Sequence, residues 1–118
     1  LTRDTRLMIG GIQFAMMKDD VIVVNTSRGG IIDEQELFKA LESNRIGGAA
    51  VDVFEQEPYK GNLNKLDNCL LTAHMGSMSV DCRTQMDLEA TEDAVRFLMG
   101  EELLRPIPDH EYRNQEHN

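Results

Sequence analysis

Three short apolar runs along the chain have the composition of buried β-strands. Residues 21–24 (VIVV) form a continuous β-branched run without alternation, which is typical of a strand covered on both faces of a parallel sheet. Residues 49–54 (AAVDVF) and 69–71 (CLL) form two further runs, separated by a polar stretch with turn-forming residues. The pattern predicts three buried strands, the first of them central in its sheet.

Segments with helical spacing flank these runs. Apolar side chains recur every three or four positions in residues 9–17, although two glycines weaken the pattern. Asp33 and Glu36 form a capping-box pattern at the start of a second segment, and a glycine pair at 47–48 follows its end. We therefore expect a first helix over residues 9–17 and a second helix that begins after Asp33.

The last third of the chain carries a longer helical pattern. From about residue 80 to residue 99, charged side chains occupy one face and apolar side chains the other. The apolar face consists of Met86, Ala90, Ala94, Phe97 and Leu98. After Gly100, two prolines and a polar end predict an extended arm and then a mobile tail, without a core of their own.

The order of these elements predicts an α/β fold. A helix is followed by strand, helix, strand, loop, strand and helix, which implies a parallel sheet with flanking helices. The 118 residues suffice for one domain with a modest core and leave no room for two. In such sheets the functional side chains gather in the loops after the carboxyl ends of the strands.

Charge and composition exclude several classes of protein. The chain has 12 Lys and Arg against 21 Asp and Glu, a net charge of −9, so we expect no nucleic-acid partner. No apolar run approaches the ~20 residues of a membrane span, so we expect no membrane partner either. Cys69 and Cys82 have no spacing for zinc or redox work, and no signal peptide is recognisable after Leu1. These observations favour a reducing, cytoplasmic setting.

Each loop after a predicted strand contains one chemically useful side chain. Arg28 follows the first strand beside two glycines, which let the backbone approach closely and adopt positive φ. Glu57 lies in the acidic loop after the second strand, and His74 follows the third. Each alone has an ordinary explanation: a solvated turn, a solvated acidic loop, or a histidine bonded into its loop for packing.

Together the three residues favour one site, because the carboxyl ends of parallel strands meet at the same edge of a sheet. An arginine can bind a substrate carboxylate while a histidine beside a glutamate moves a proton. This arrangement suits a substrate with a carboxylate next to a carbonyl or hydroxyl group, and a hydride would need a cofactor. His110 and His117 lie in the polar tail, and we do not expect them to contribute.

The longer motifs of the chain are recognisable. They are LTRDTRLMIG, VIVVNTSRGGIIDEQELFKAL, GGAAVDVFEQEP and LDNCLLTAHMGS, followed by a helix with Met86, Glu89 and Ala90. In this order, across residues 1–100, the chain resembles the D-isomer-specific 2-hydroxyacid dehydrogenases, in particular the second half of their NAD-binding domain. The fold that the resemblance implies is the second half of a Rossmann-type parallel sheet.

The resemblance also implies roles for individual residues. Arg28 would bind the carboxylate and carbonyl of the substrate, His74 would donate or accept the proton, and Glu57 would pair with His74. The positions that match the lining of the NAD site are Thr26, Ser27, Asp52, His74, Gly76 and Ser77. A small 2-hydroxy or 2-keto acid is the implied substrate, and Ser77 is similar to the phosphoglycerate-dehydrogenase-like branch.

One part of the family pattern is missing. The chain contains no GxGxxG turn for the pyrophosphate. In the family this turn, the ribose-binding acid and most of the substrate domain precede the motifs present here. We therefore expect a C-terminal fragment, inactive alone, with residues 101–118 as arm and tail and with a homodimer as the complete enzyme. The missing parts would also select the hydroxy acid and decide between NAD and NADP.

Two other functions are considered beside the enzyme. Transcriptional corepressors that resemble this family use the same fold to sense NAD or to act as scaffolds without catalysis, and they can retain the same three residues. Relatives that act on formate resemble Gln rather than Glu at position 57, and Glu57 therefore argues against formate.

Overall fold

The computed structural model describes residues 1–108, in two compact units, Leu1–Met75 and a second that begins at Gly76. The first unit contains a parallel sheet of three strands among its residues, in the order β1 (Ile22–Asn25), β2 (Gly48–Val51) and β3 (Cys69–Leu71). Its helices are α1 (Gly11–Met16), α2 (Glu34–Glu42) and a 3-10 helix (Asn62–Lys65). The predicted α/β architecture and the three parallel strands are confirmed.

The core of the first unit lies on one side of the sheet. Both α-helices and the 3-10 helix contribute buried side chains, and β2 contributes the inward-facing residues of the central strand. The most deeply buried of these are Phe14, Leu37, Leu41, Ile46 and Leu63. Full burial of such a side chain stabilises the fold by about 1.5–3 kcal/mol. This packing fixes the ends of the strands, where the loops with the candidate residues begin.

The other side of the sheet is open, and the prediction that β1 is central and covered on both faces is wrong for the described residues. Ile22 and Val24 are 68% and 63% exposed, and Leu70 of β3 is 64% exposed. β1 pairs with β2 alone and forms an edge, so β2 is the central strand. Because successive side chains of a strand alternate between faces, a β-branched run predicts a strand without showing which faces are covered.

Helix α2 begins as predicted, at the Asp33 cap. The Asp33 carboxylate accepts hydrogen bonds from the backbone N–H groups of Gln35 (2.9 Å) and Glu36 (3.0 Å). The reciprocal half of the capping box does not form, because the Asp33 N–H donates to the Ile9 carbonyl (2.9 Å). The Glu36 carboxylate instead accepts from the Lys39 ammonium at 2.6 Å.

Helix α2 ends earlier than the glycine pair suggested. Its last residue is Glu42, and Asn44 then adopts the left-handed conformation with φ of 54°. Gly47 lies just before β2, where the backbone passes close to Asp20. A Cβ at this position would lie 2.9 Å from the Asp20 carbonyl oxygen. The glycine pair therefore accompanies the approach of two backbone segments at the start of β2 rather than the end of the helix.

The second unit consists of the predicted long helix and the segment after it. Helix α3 (Val80–Met99) has the expected bounds, with the Ser79 hydroxyl accepting from the Cys82 N–H and Gly100 in the left-handed conformation at its end. None of the described residues of this unit is buried, so it is not a second domain with its own core. No helix within residues 1–108 is long and apolar enough to cross a membrane.

The segment after α3 contains no helix or strand in residues 101–108, and it folds back on the helix. The arm and tail over residues 101–118 stay a prediction. The Leu104 N–H donates to the Asp93 carboxylate at 2.8 Å, and the Arg105 guanidinium lies 3.3 Å from both Glu89 and Glu92. Arg96 of the helix adds a bond to the Glu102 carbonyl at 2.7 Å, so bonds from both the helix and the segment hold this return. The predicted tail, with His110 and His117, lies outside the described residues.

Candidate active site

The loop after β1 is organised by the last residue of the strand, Asn25. This side chain is buried, with Nδ2 donating to the Arg28 carbonyl (3.1 Å) and Oδ1 accepting from the N–H (3.2 Å) and the hydroxyl (2.8 Å) of Ser27. Our sequence reasoning missed Asn25. Its signal was an amide at the end of an apolar run, because asparagine commonly bonds the backbone two residues further on.

Arg28 is exposed in this loop. Its guanidinium donates to the Ser27 carbonyl oxygen at 2.7 Å, and it forms no ion pair with a carboxylate of residues 1–108. The two following glycines have the properties expected of them. A Cβ at Gly29 would lie 1.9 Å from the Phe54 carbonyl oxygen, and Gly30 has φ of 77°. The loop of Arg28 therefore packs directly against the backbone of the loop after β2.

Asp52 connects the loops after all three strands. Its N–H donates to the Asn25 carbonyl (2.9 Å), and its own carbonyl accepts from the His74 N–H (2.8 Å). Its buried carboxylate accepts from the Thr72 hydroxyl and from the Met75 N–H (2.8 Å). These bonds hold the backbone of His74 at a fixed position beside β2.

His74 and Glu57 form a hydrogen-bonded pair. Nδ1 of His74 lies 3.0 Å and 3.2 Å from the two carboxylate oxygens of Glu57, although 17 residues separate them. His74 has φ of 51°, a left-handed conformation that costs free energy in a residue other than glycine. With Nδ1 donating to the carboxylate, Nε2 is the ring nitrogen left to exchange a proton.

Hydrogen bonds keep Glu57 ionised. The bond from His74, followed by the bond from the Phe54 N–H to Oε1 (3.1 Å), lowers the pKa of the Glu57 carboxyl below its ordinary value. Both partners remain open to solvent, with the side chains of His74 and Glu57 48% and 39% exposed. The pair thus offers an imidazole with a fixed tautomer, oriented by a carboxylate and accessible from outside.

A cavity opens beside this pair. It has a volume of about 680 Å³, within the range of small-molecule sites. Its walls combine aromatic and aliphatic surface with few polar groups, and they are formed by Phe54, Glu57, Pro58, Tyr59, Asn64, Leu71, Thr72, Ala73 and His74. The cavity can accept a small organic molecule next to a proton donor.

The remaining predicted residues are distributed around the pair. Thr26 and Ser27 are exposed in the loop of Arg28, and Arg28 itself makes no direct bond with His74 or Glu57. Gly76 and Ser77 belong to the second unit. Within the described chain, no group of three His, Cys, Asp or Glu side chains could hold a metal ion, and Cys69 and Cys82 are both free thiols.

Comparisons with known proteins give the family of this chain. Residues 1–76 match the family model "D-isomer specific 2-hydroxyacid dehydrogenase, NAD binding domain". The chain is 43% identical over 102 residues to a D-3-phosphoglycerate dehydrogenase of Methanocaldococcus jannaschii, covering 86% of this chain. It is 44% identical over 103 residues to a glyoxylate reductase of Korarchaeum cryptofilum, again covering 86% of this chain.

A solved glyoxylate reductase from Paecilomyes thermophila has the same fold, with a TM-score of 0.87 and 35% identity over 93% of this chain. The chain covers only 20% and 31% of the two sequence relatives and 34% of the solved chain. The match of the family model over the sheet and its loops nevertheless includes every residue of the His74 and Glu57 pair and of the loop of Arg28. The chain therefore belongs to the D-isomer specific 2-hydroxyacid dehydrogenase family, within its NAD binding domain.

Proposed function

We propose that this chain is part of an NAD-dependent dehydrogenase that interconverts a D-2-hydroxy acid and a 2-keto acid. The observation that carries the proposal is the His74 and Glu57 pair beside a cavity at the carboxyl edge of the sheet. A histidine with one nitrogen bound to a carboxylate is suited to general acid and base catalysis through the other nitrogen. Such a group is needed wherever a carbonyl and a hydroxyl are interconverted.

Each of the three residues has one role in this reaction. Arg28 binds the carboxylate of the substrate through its planar guanidinium, which no carboxylate of residues 1–108 occupies. His74 donates its Nε2 proton to the carbonyl oxygen in reduction and takes the hydroxyl proton in oxidation. Glu57 keeps the imidazole oriented and stabilises its protonated form. The nicotinamide cofactor supplies the hydride when bound.

The residues present fit the nicotinamide side of a dinucleotide. Thr26 and Ser27 are exposed residues at the carboxyl edge of the sheet, and the Asp52 carboxylate bonds Met75 at the same edge. Gly76 and Ser77 are proposed as cofactor-binding residues from the family motif alone. The pyrophosphate has no glycine-rich turn in these 118 residues. We therefore assign residues 1–100 to the C-terminal part of an NAD-binding domain and residues 101–118 to an arm and tail, within a longer polypeptide.

The substrate class is a small 2-hydroxy or 2-keto acid. The relatives named as D-3-phosphoglycerate dehydrogenase and glyoxylate reductase are equally similar to this chain, at 43% and 44% identity. Ser77 favours the phosphoglycerate-dehydrogenase-like branch. Among the relatives and solved structures compared, nothing supports a non-catalytic NAD sensor or scaffold. A cytoplasmic homodimer without nucleic-acid partners completes the proposal, and the two free thiols are compatible with the cytoplasm.

The test is an activity assay of the longest polypeptide that contains this chain. It measures kcat with NADH and a panel of 2-keto acids. His74→Gln should lower kcat about 100-fold or more, because general acid catalysis contributes roughly 10²–10⁴-fold. His110→Gln is the matched control, and it should leave kcat unchanged. A His74→Gln enzyme that retains kcat within about threefold of the parent would contradict the proposal.

A further inference from the structure

The loop that carries Glu57 is exposed. Its two ends are anchored in the fold, and within it the Glu55 N–H donates to the Glu34 carboxylate at 2.6 Å. Residues 55–58 are all open to solvent, whereas Phe54 before them is buried and Tyr59 after them is half-buried. The rings of Phe54 and Tyr59 stack on each other, with centroids 4.3 Å apart and an angle of 25° between their planes. We call this pair the aromatic clasp, because it closes the base of the four-residue loop.

The Tyr59 side chain is held in one position by contacts on both sides of its ring. Its hydroxyl oxygen accepts a hydrogen bond from the Leu63 N–H at 3.1 Å, and Leu63 is completely buried in the core. A Cβ at Gly61 would lie 2.2 Å from the Tyr59 oxygen, so glycine leaves the space that the phenol occupies. The ring is thereby tied to the 3-10 helix on one side and to Phe54 on the other.

One residue of the aromatic clasp is bonded to the Glu57 carboxylate. Phe54 holds its ring in the clasp and donates its N–H to Oε1 of Glu57 at 3.1 Å. An exposed ion pair loses much of its value to the entropy of fixing two mobile side chains. A loop whose ends are already fixed loses less entropy when the carboxylate takes one position. The stacked rings therefore favour the contact between Glu57 and His74.

We propose that Tyr59 is a positioning residue that holds Glu57 against His74 by closing the aromatic clasp. The catalytic consequence rests on the proposed function, but the contact itself is a property of the folded chain and is testable without turnover. Apart from His74, the charged group that acts on the Glu57 carboxyl is the buried Asp52. Asp52 is unchanged in every variant below, so a shift of the Glu57 pKa reports the clasp.

The experiment is a carboxyl carbon-13 NMR titration of Glu57 in the protein labelled on glutamate. The parent should give a pKa below the ordinary glutamate value, because the bonds from His74 and Phe54 favour the ionised form. Tyr59→Leu removes the stacking and should raise this pKa by several tenths of a unit, toward the value in His74→Gln. Tyr59→Phe keeps the stacked ring and should remain close to the parent.

Two further variants keep the test decisive. Tyr112→Leu replaces the other tyrosine and is the matched control, with no expected change. If Tyr59→Leu fails to fold, Gly61→Ala displaces the phenol from its seat and should raise the Glu57 pKa in the same direction. Hydrogen exchange of the Phe54 N–H should accelerate at least severalfold in the same variants, since its acceptor is the Glu57 carboxylate.

The outcomes are distinguishable. A Glu57 pKa that is the same in Tyr59→Leu as in the parent, while His74→Gln raises it, overturns the positioning role. A parent pKa at the ordinary glutamate value also overturns it, because no pairing then exists to be held. If the pKa and the exchange rate move as expected but the longer polypeptide reduces no 2-keto acid with NADH, the positioning role stands and the proposed function fails.

Discussion

At the scale of single residues, the carboxyl edge contains two kinds of polar side chain. Asn25 and Asp52 are buried. The Asn25 side chain bonds Ser27 and Arg28 of its own loop, and the Asp52 carboxylate accepts from Thr72 and Met75 of the loop after β3. Arg28, Glu57 and His74 are exposed and leave polar atoms available to a ligand. The buried pair determines where the backbone lies, and the exposed residues carry the proposed chemistry.

Arg28→Lys should weaken binding and positioning of the keto acid. Lysine keeps the charge but loses the two parallel N–H donors that match a carboxylate. The loss should be about 1.5–3 kcal/mol, which lowers kcat/KM for the keto acid roughly 10- to 150-fold. Steady-state kinetics of the longer polypeptide measure it, with Arg3→Lys as the control. A kcat/KM within about twofold of the parent would remove Arg28 from the substrate site.

Glu57→Gln should shift the pH dependence of both reaction directions. The Glu57 carboxylate, whose pKa is lowered by its bonds from His74 and Phe54, is charged throughout the neutral range and stabilises the imidazolium. Glutamine keeps the shape without the charge. The upper pH limit of keto-acid reduction should therefore move down, and oxidation should persist to lower pH.

The measurement for Glu57→Gln is kcat/KM against pH in each direction, with Glu55→Gln as the control on the same loop. The same bonds also determine how the stability of the fold changes at acidic pH. Because the folded pKa of Glu57 is lowered, its pairing stabilises the fold above the ordinary glutamate pKa and is lost as the pH falls through the folded value. If the pH profiles of kcat/KM are unchanged in both directions, Glu57 does not act on His74 and is an ordinary solvated residue of its loop.

At the scale of elements, the approach of the first two loops depends on one glycine. Gly29→Ala would place a methyl group 1.9 Å from the Phe54 carbonyl oxygen, which is backbone and cannot rotate away. The two loops must then separate, and we expect a loss of unfolding free energy of about 1–3 kcal/mol. Urea unfolding measures it. Gly10→Ala, where the nearest atom is 3.7 Å away, is the control, and equal midpoints would contradict the close approach.

The elements also show how far local patterns reach. The Asp33 cap and the ends of α3 depend on residues within one or two turns, so the bounds of these helix ends were predictable from the sequence. The end of α2 and the return of the segment after Gly100 were not. At the end of α2 the Asn68 amide donates to the Leu41 carbonyl at 3.2 Å, and after Gly100 the Arg105 guanidinium pairs with Glu89 and Glu92. Each of these contacts joins residues that are far apart along the chain.

At the scale of the whole molecule, the open face of the sheet has a consequence for the chain alone. Ile22, Val24 and Leu70 expose apolar surface next to the unpaired edge of β1, a combination that promotes association. We expect the isolated chain to self-associate and to unfold with low stability. Size-exclusion chromatography at increasing concentration should show this.

Self-association can be tested with two Val→Thr substitutions, because threonine has nearly the same shape as valine but is more polar. Val24→Thr removes apolar character from the open face and should shift elution toward the monomer, whereas Val80→Thr on α3 is the control. A parent chain that stays strictly monomeric and unfolds cooperatively would argue against the proposal that a longer polypeptide covers this face.

The sequence alone determined the order and type of the elements, the parallel sheet, and the three loops in which Arg28, Glu57 and His74 lie. These features depend on local side-chain periodicity, on capping residues and on long contiguous motifs, all of which are present along the chain itself. The resemblance carried by those motifs predicted the family, which the comparisons confirmed.

Only the tertiary structure decided what contacts what. Asp52 is a polar residue at the end of a strand, and nothing in its spacing indicated that its carboxylate bonds Thr72 and Met75 of a separate loop. The structure places Nδ1 of His74 at 3.0 Å from the Glu57 carboxylate, the pairing that the family resemblance implied, and it stacks Tyr59 on Phe54. The open face of β1 was likewise invisible in a run of valines and isoleucine. Each of these features depends on contacts between residues that are distant in sequence. Such contacts are determined by the packing of the whole sheet and not by the local sequence pattern.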